Sequence, residues 1–111
     1  KWPHAWLDFH GDRIAIRIPS RAAFEGLHYS QFAGDDAMDK AAGRFVARHV
    51  SDATFARLLD RMADPDDVEY VASQSIVMEL VGLLGKIGTE RWKKDTEALD
   101  AVKNGQTRNA K

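Results

Sequence analysis

The sequence contains no cysteine among its 111 residues, which excludes disulfides, thiolate catalysis and cysteine-ligated zinc. It also lacks an excess of either charge, because 16 basic residues nearly balance 17 acidic ones. A dedicated nucleic-acid-binding domain normally has a basic excess, so we expect no nucleic-acid partner. The longest apolar stretch, IVMELVGLLGKI (76–87), contains two charged residues and is too short to cross a bilayer, so we expect no membrane partner.

Sequence patterns that mark catalytic or phosphate-binding sites are missing as well. The chain has no GxxxxGK[ST] or GxGxxG phosphate loop, no GxSxG serine motif and no HExxH zinc motif. Its four histidines, at positions 4, 10, 28 and 49, form no close pair on one helical face, and His10 is expected to be exposed at a turn. We therefore predict that the protein is not an enzyme and has no catalytic residue, cofactor or metal site.

One acidic segment, ADPDDVEY (63–70), offers an alternative to that prediction. A small metal-dependent hydrolase could use Asp64, Asp66 and Asp67 as ligands or as acid and base. The spacing does not fit a calcium loop, which needs a central glycine and a glutamate at its twelfth position, where this chain has Ser75. A helix start or a structured turn fits better. In a helix start, Asp64 is the N-cap, Pro65 lies in the first turn, and Asp66 and Asp67 face the positive helix end.

The composition is that of one globular domain, with 44% hydrophobic and 30% charged residues. Alternating apolar residues in WLDFHGDRIAIRI (6–18) predict a β-hairpin that turns at Gly11-Asp12. Apolar residues at three- and four-residue spacing predict helices over 21–32, 36–50, 52–63 and 74–87, capped by Ser20, Ser51 and either Ser73 or Ser75. Three of the residues expected to face inward on these helices are Phe32, Leu59 and Met62.

These elements predict an α+β fold, an N-terminal β-hairpin followed by a small bundle of about four helices. The glycines of GLLGKIG (82–88) favour a helix end, and Gly82 and Gly85 are also small enough to allow close helix approach. The composition becomes polar beyond Gly88. We therefore expect a single domain over residues 1–88 and a polar, partly helical or flexible tail over residues 89–111.

Two sequence blocks and the last apolar helix resemble the tail assembly chaperones of long-tailed phages that infect actinobacteria. The first block is the hairpin that ends in RIP (17–19), and the second is FVARHVSDATFARLLDRMADPDDVEY (45–70). The resemblance covers roughly residues 6–88. It implies a non-enzymatic protein that binds the helical tape measure protein and keeps it soluble during tail morphogenesis. It also implies a location in the host cytoplasm during assembly and absence from the mature virion.

A partner-binding surface is expected on the last apolar helix, since an amphipathic client helix can lie in an apolar groove. Self-association is also possible. The alternative is that these side chains fill the core. A small protein-binding adaptor or regulator without catalytic activity is the competing function. The predicted contact residues are Leu80, Leu83, Leu84 and Ile87, with Trp92 at the edge.

Overall fold

The computed structural model describes residues 4–34 and 36–109, and within the last helix it describes side chains as far as Asn104. It confirms the α+β class, with a two-stranded antiparallel hairpin followed by helices. None of the helices in the described ranges is both long enough and apolar enough to cross a membrane. The elements are β1 (Ala5–Phe9), β2 (Asp12–Ile16), α1 (Arg21–Tyr29), a 3-10 turn (Ser30–Phe32), α2 (Ala37–His49), α3 (Asp52–Ala63), α4 (Val68–Ala72) and α5 (Ile76–Asn109).

The hairpin turns one residue earlier than predicted. Phe9 pairs with Asp12, so the two turn residues are His10 and Gly11, and both have positive φ angles, 47° and 85°. Positive φ at both central residues is the requirement of a type I′ turn, whose twist matches that of the flanking strands. Glycine meets that requirement without strain, and His10 adopts the less common left-handed conformation beside it.

Serine caps begin three of the helices, as the sequence predicts. The hydroxyl of Ser20 accepts a hydrogen bond from the backbone N–H of Ala23 at 3.1 Å, and Ser51 accepts one from Thr54 at 3.1 Å. Of the two candidates for α5, Ser75 is the cap, because its hydroxyl accepts from the N–H of Met78 at 3.2 Å. These contacts satisfy N–H groups that have no partner inside the helix.

The core lies where one face of the hairpin meets α2 and the first half of α5. The inward face of β2 contributes Ile14 and Ile16, and a backbone bridge from Ile16 to Val50 attaches the hairpin to the end of α2. The largest fully buried side chains include Phe9, Ile16, Val46, Leu80 and Leu84. Burial of such apolar area is the main term that stabilises the fold.

Three of the side chains predicted to point inward are exposed instead. Phe32 is 75% exposed because α1 ends at Tyr29 and the chain continues as a tighter 3-10 turn. Leu59 and Met62 are 49% and 45% exposed. α3 buries a narrow stripe, Leu58 fully and Phe55 partly, so the outer edge of its predicted stripe remains in solvent.

The helix end predicted at Gly85 and Gly88 is wrong, because α5 continues through both glycines to Asn109. Each glycine instead gives room to a neighbour. A Cβ atom on Gly85 would lie 2.5 Å from the ring of Phe24. A Cβ atom on Gly88 would lie 3.0 Å from the ring of Trp92 and 3.3 Å from the carbonyl oxygen of Pro19. These glycines therefore serve close packing rather than termination.

The continuous α5 makes the molecule elongated, with extents of 67 × 34 × 26 Å. A helix of 34 residues is about 51 Å long, so its second half extends past the hairpin and the other helices. The described side chains from Lys93 to Asn104 are all exposed. Residues 1–3, 35, 110 and 111 lie outside the described residues. The division into a domain over 1–88 and a tail over 89–111 stays a prediction.

Gly82 and Gly85 of α5 make a matched pair for testing the packing role, because a Cβ atom meets open space at Gly82 and the ring of Phe24 at Gly85. Gly82→Ala places its methyl group in open space, so we expect a gain of about 0.5–1 kcal/mol from helix propensity. Gly85→Ala forces the ring of Phe24 to move, and overpacking of this kind costs about 1–3 kcal/mol, which outweighs the propensity gain. Urea unfolding of both variants measures the difference, and equal stabilisation by the two substitutions would contradict the packing role.

Candidate partner-binding surface

The structure divides the five predicted contact residues into core and surface. Leu80 and Leu84 have no exposed area, so they fill the core, which was the alternative interpretation of the apolar stripe. Leu83 and Ile87 are partly buried and pack against that core. Their accessible parts, together with Trp92, are what remains of the predicted surface, and partner binding there stays a prediction.

Trp92 is held at the surface by three neighbours. Its indole N–H donates a hydrogen bond to the carbonyl oxygen of Pro19 at 2.9 Å. Its ring meets the ring of Phe24 edge-on at 6.1 Å, and the guanidinium of Arg21 lies 6.0 Å from its centre. The close approach of α5 to Pro19 depends on Gly88, which lies one helical turn before the tryptophan. Trp92 is therefore half-buried and fixed in orientation.

A groove of about 590 Å³ opens beside Trp92, between the segment that joins β2 to α1 and the middle of α5. This is large enough to take several side chains of a protein segment. The groove has apolar walls from Ile18, Pro19 and Trp92 and a polar rim. Cations dominate the rim, where Asp95 is the acidic member among the described lining residues. The rim residues are His4, Arg17, Ser20, Arg21, Arg91 and Asp95.

Large apolar side chains are also exposed elsewhere on the described surface. Leu99 and Val102 are 69% and 59% exposed on the projecting half of α5, and their spacing from Trp92 places them on the same helical stripe. Trp6 lies on the outer face of the hairpin. Exposed apolar residues that cluster often mark protein contacts. Other exposed apolar side chains lie along the helices and the 3-10 turn: Tyr29, Phe32, Leu59, Met62, Val68, Val71 and Met78.

The acidic segment forms a turn rather than a metal loop or a helix start at Asp64. α4 begins at Val68, and its N-cap is Asp67, whose carboxylate accepts a hydrogen bond from the N–H of Tyr70 at 3.3 Å. Asp64 ends α3, and its carboxylate accepts from the N–H of Asp66 at 2.9 Å. The predicted cap at Asp64 is therefore wrong by three residues, because Asp64, Pro65 and Asp66 form the turn between the helices.

Arg61 connects this turn to the hairpin. Its guanidinium donates to both carboxylate oxygens of Asp67, at 2.6 and 3.1 Å, and to Asp12 at 3.1 Å. It also donates to the backbone carbonyl of His10 at 2.7 Å and lies 4.1 Å from the ring centre of Tyr70. The hydrogen bonds between Arg61 and Asp67 are the largest influence on the pKa of both groups. They hold the pKa of Asp67 below its ordinary value and raise the pKa of Arg61.

Two other groups belong to the same cluster. The guanidinium of Arg57 donates to both oxygens of Asp12, at 3.0 and 2.9 Å, and this pairing is the main cause of the lowered pKa of Asp12. Burial raises the pKa of the Tyr70 hydroxyl. The cluster is therefore an ion-pair network that joins three elements, with its charges paired with one another.

His10 is half-buried, whereas the sequence predicted an exposed turn residue. Its Nε2 atom lies 2.7 Å from a carboxylate oxygen of Glu79, and its Nδ1 atom lies 3.8 Å from Glu69. Its ring meets those of Phe9 and Tyr70 edge-on. The positive φ of His10 turns the side chain inward over α4 and the start of α5, which sequence alternation alone does not reveal.

Among the described residues, no three histidine, aspartate or glutamate side chains are placed to hold one metal ion. Of the three acids in the hydrolase alternative, Asp67 is bound to Arg61 and Asp64 to a backbone N–H. The geometry is that of a small α+β protein with exposed apolar side chains and a cation-rimmed groove, features that are typical of protein-binding modules.

Comparison with known families identifies the particular class. A family model described as phage tail assembly chaperone protein matches residues 1–92 of the 111. The chain belongs to the phage tail assembly chaperone family. No curated protein and no solved structure matches it. The matched range includes the hairpin, the ion-pair network and the groove as far as Trp92, whereas Leu99 and Val102 lie beyond it.

The ion-pair network gives a prediction for acid unfolding. Because the pKa values of Asp12 and Asp67 are lowered in the folded protein, their stabilisation is complete above the ordinary value of 3.8. It is lost as the pH falls through the lower folded values. We expect Asp67→Asn to reduce the free energy of unfolding at pH 7 and to flatten its decline below pH 4. Asp64→Asn is the matched control, and urea unfolding between pH 2 and 7 would contradict the network if both variants behaved alike.

Proposed function

We propose that the protein binds the helical tape measure protein of a long-tailed phage and keeps it soluble while the tail is assembled. The observation that carries the proposal is the family match over residues 1–92. Membership of a tail assembly chaperone family indicates a protein client, and the tape measure protein is the client that the sequence resemblance implies. The actinobacterial host group rests on that resemblance alone.

The physical basis of the proposed activity is reversible covering of apolar helical surface. A long client helix with an apolar stripe aggregates unless the stripe is covered. A small domain can cover a short part of it in the helix-in-groove mode. The accessible parts of Leu83 and Ile87, together with Trp92, are the predicted contacts on α5. Many copies along one client would then add avidity without a strong individual site.

The same proposal assigns a time and a place to the protein. It acts in the host cytoplasm during phage assembly and leaves before the tail is complete, so it is absent from the mature virion. Weak individual contacts favour this release, because tail-tube subunits that polymerise around the client can then displace each copy.

Co-expression with the large helical protein encoded just downstream in the same phage genome tests the proposed function. We expect the client to be insoluble alone, and to become soluble and co-purify when this chain is present. The control is co-expression of the client with an unrelated soluble domain of similar size. A client that stays insoluble and unbound beside well-folded chaperone would refute the proposal and favour the adaptor alternative.

Metal binding is tested separately by thermal unfolding with Ca²⁺, Mn²⁺ or Zn²⁺. A ligand that binds the folded state at 100 times its Kd stabilises it by about 2.7 kcal/mol. We expect no shift in the melting temperature with any of the three ions. A shift that Asp66→Asn abolishes would support the hydrolase alternative.

A further inference from the structure

The groove beside Trp92 is the first of three that are linked in series by shared lining residues. Arg17 lines both the first groove and the second, which lies over the end of α2. Arg48 lines both the second and the third, which lies between α1 and α2 and also contains Arg44. The three grooves therefore form one continuous, uneven surface that runs from α5 across the start of α1 to α2.

This surface, which we call the arginine face, carries a charge that the composition conceals. Among the described lining residues it has five arginines and two aspartates, Asp52 and Asp95. The whole chain has 16 basic and 17 acidic residues, so eleven basic and fifteen acidic ones remain elsewhere. With histidines neutral, the arginine face has a net charge of +3 and the rest of the chain −4, within a total of −1. The five arginines are Arg17, Arg21, Arg44, Arg48 and Arg91.

Arg21 and Arg91, the two arginines nearest Trp92 on this face, are exposed. Arg91 lies 3.4 Å from Asp95, but the two side chains are 57% and 66% exposed, and a pair so exposed is weak and easily exchanged. Arg21 lies over the ring of Trp92, which keeps its guanidinium near the groove. In contrast, Asp12 and Asp67 pair with Arg57 and Arg61 in the network on α3 and α4.

We propose that the arginine face binds an acidic, amphipathic segment of the partner protein. Guanidinium groups are planar donors that match carboxylates with two parallel hydrogen bonds. Between them, Ile18, Pro19 and Trp92 give an apolar wall on which a leucine or similar side chain can lie. This inference rests on the proposed function, and it adds the chemistry of the client segment, which alternates carboxylates with apolar side chains.

The same geometry is unfavourable for a nucleic acid. Sequence-independent binding of single strands uses open aromatic faces on which bases stack. Trp92 is half-buried, with its N–H bound to Pro19 and its ring against Phe24. Asp52 and Asp95 would repel a phosphate backbone that follows the face. A protein segment can place carboxylates opposite the arginines and neutral groups opposite these two aspartates.

Fluorescence anisotropy with a labelled amphipathic peptide of about 20 residues, built from Glu, Leu and Ala, tests the proposal. A peptide with Gln in place of every Glu is the matched ligand control, and oligothymidylate is the nucleic-acid control. We expect the full chain to bind the acidic peptide, more weakly at high salt, and to bind neither control. The double variant Arg21→Glu, Arg91→Glu should weaken binding by tenfold or more, roughly the loss of one charge-assisted contact.

A variant with the same change of charge away from the arginine face controls for net charge. Lys86→Glu, Lys103→Glu alters two exposed lysines on α5 that line none of the three grooves, and it should change the affinity less than about twofold, because screened charges at a distance contribute little. Circular dichroism confirms that each variant is folded. If Arg21→Glu, Arg91→Glu is unfolded, Arg21→Gln, Arg91→Gln replaces it, with the same expectation of weaker binding.

Three outcomes would overturn the proposal. Equal binding of the acidic and Gln peptides would show that carboxylates are not recognised. Binding of oligothymidylate in preference to the acidic peptide would make the ligand a nucleic acid. Self-association that sedimentation detects, and that Arg21→Glu, Arg91→Glu abolishes, would make the occupant the acidic side of a second copy.

Co-expression separates this inference from the proposed function on which it rests. If the wild-type chain keeps the client soluble and Arg21→Glu, Arg91→Glu does not, both are supported. If both chains keep it soluble, the proposed function stands and the arginine face is not the contact. If neither does, the proposed function fails, whatever the peptide result.

Discussion

Arg61 is the side chain through which the hairpin, α3 and α4 hold one another in place. Its guanidinium contacts the carbonyl oxygen of His10 at the hairpin turn, Asp12 at the start of β2, and Asp67 at the start of α4. A two-stranded hairpin is only marginally stable by itself, so the hydrogen bonds from Arg61 stabilise it together with the packing of its apolar face. The ring of Tyr70 lies under the guanidinium and shields it from water, which strengthens each of these bonds. The acidic segment therefore has a structural role, as the partner of a half-buried cation.

α5 provides the second constraint, since both the core and the groove are built on it. Gly85 admits Phe24, and Gly88 admits Pro19, so the start of α1 can lie directly on the helix. That approach brings Arg21 and Trp92 together and forms the groove beside them. Leu80 and Leu84, which were predicted as partner contacts, are fully buried in the same core. The buried side of α5 thus stabilises the fold, and the turn that contains Arg91 and Trp92 forms part of the groove.

The arrangement of charge links the fold to the proposed activity. Five arginines gather along three adjoining grooves, while most acidic residues lie on other parts of the chain. A polarised molecule of low net charge can attract an oppositely charged segment at short range, and salt weakens that attraction. Such contacts suit the proposed activity, in which the client is released as assembly proceeds.

The sequence alone determined the elements and the broad class of protein. Alternation and three- or four-residue spacing located the hairpin and the helices, and the serine caps followed from local hydrogen bonding. The family resemblance likewise depended on residues in sequence order. The match over residues 1–92 confirms that the chain belongs to the phage tail assembly chaperone family. Tertiary structure decided what each glycine, acid and apolar residue does, because those roles depend on neighbours distant in the chain. The sequence predicted a helix end at Gly88, whereas in the structure this glycine makes room for the carbonyl of Pro19. The role of Asp67 depends on its hydrogen bonds with Arg61. The arginine face brings together residues from positions 17 to 91.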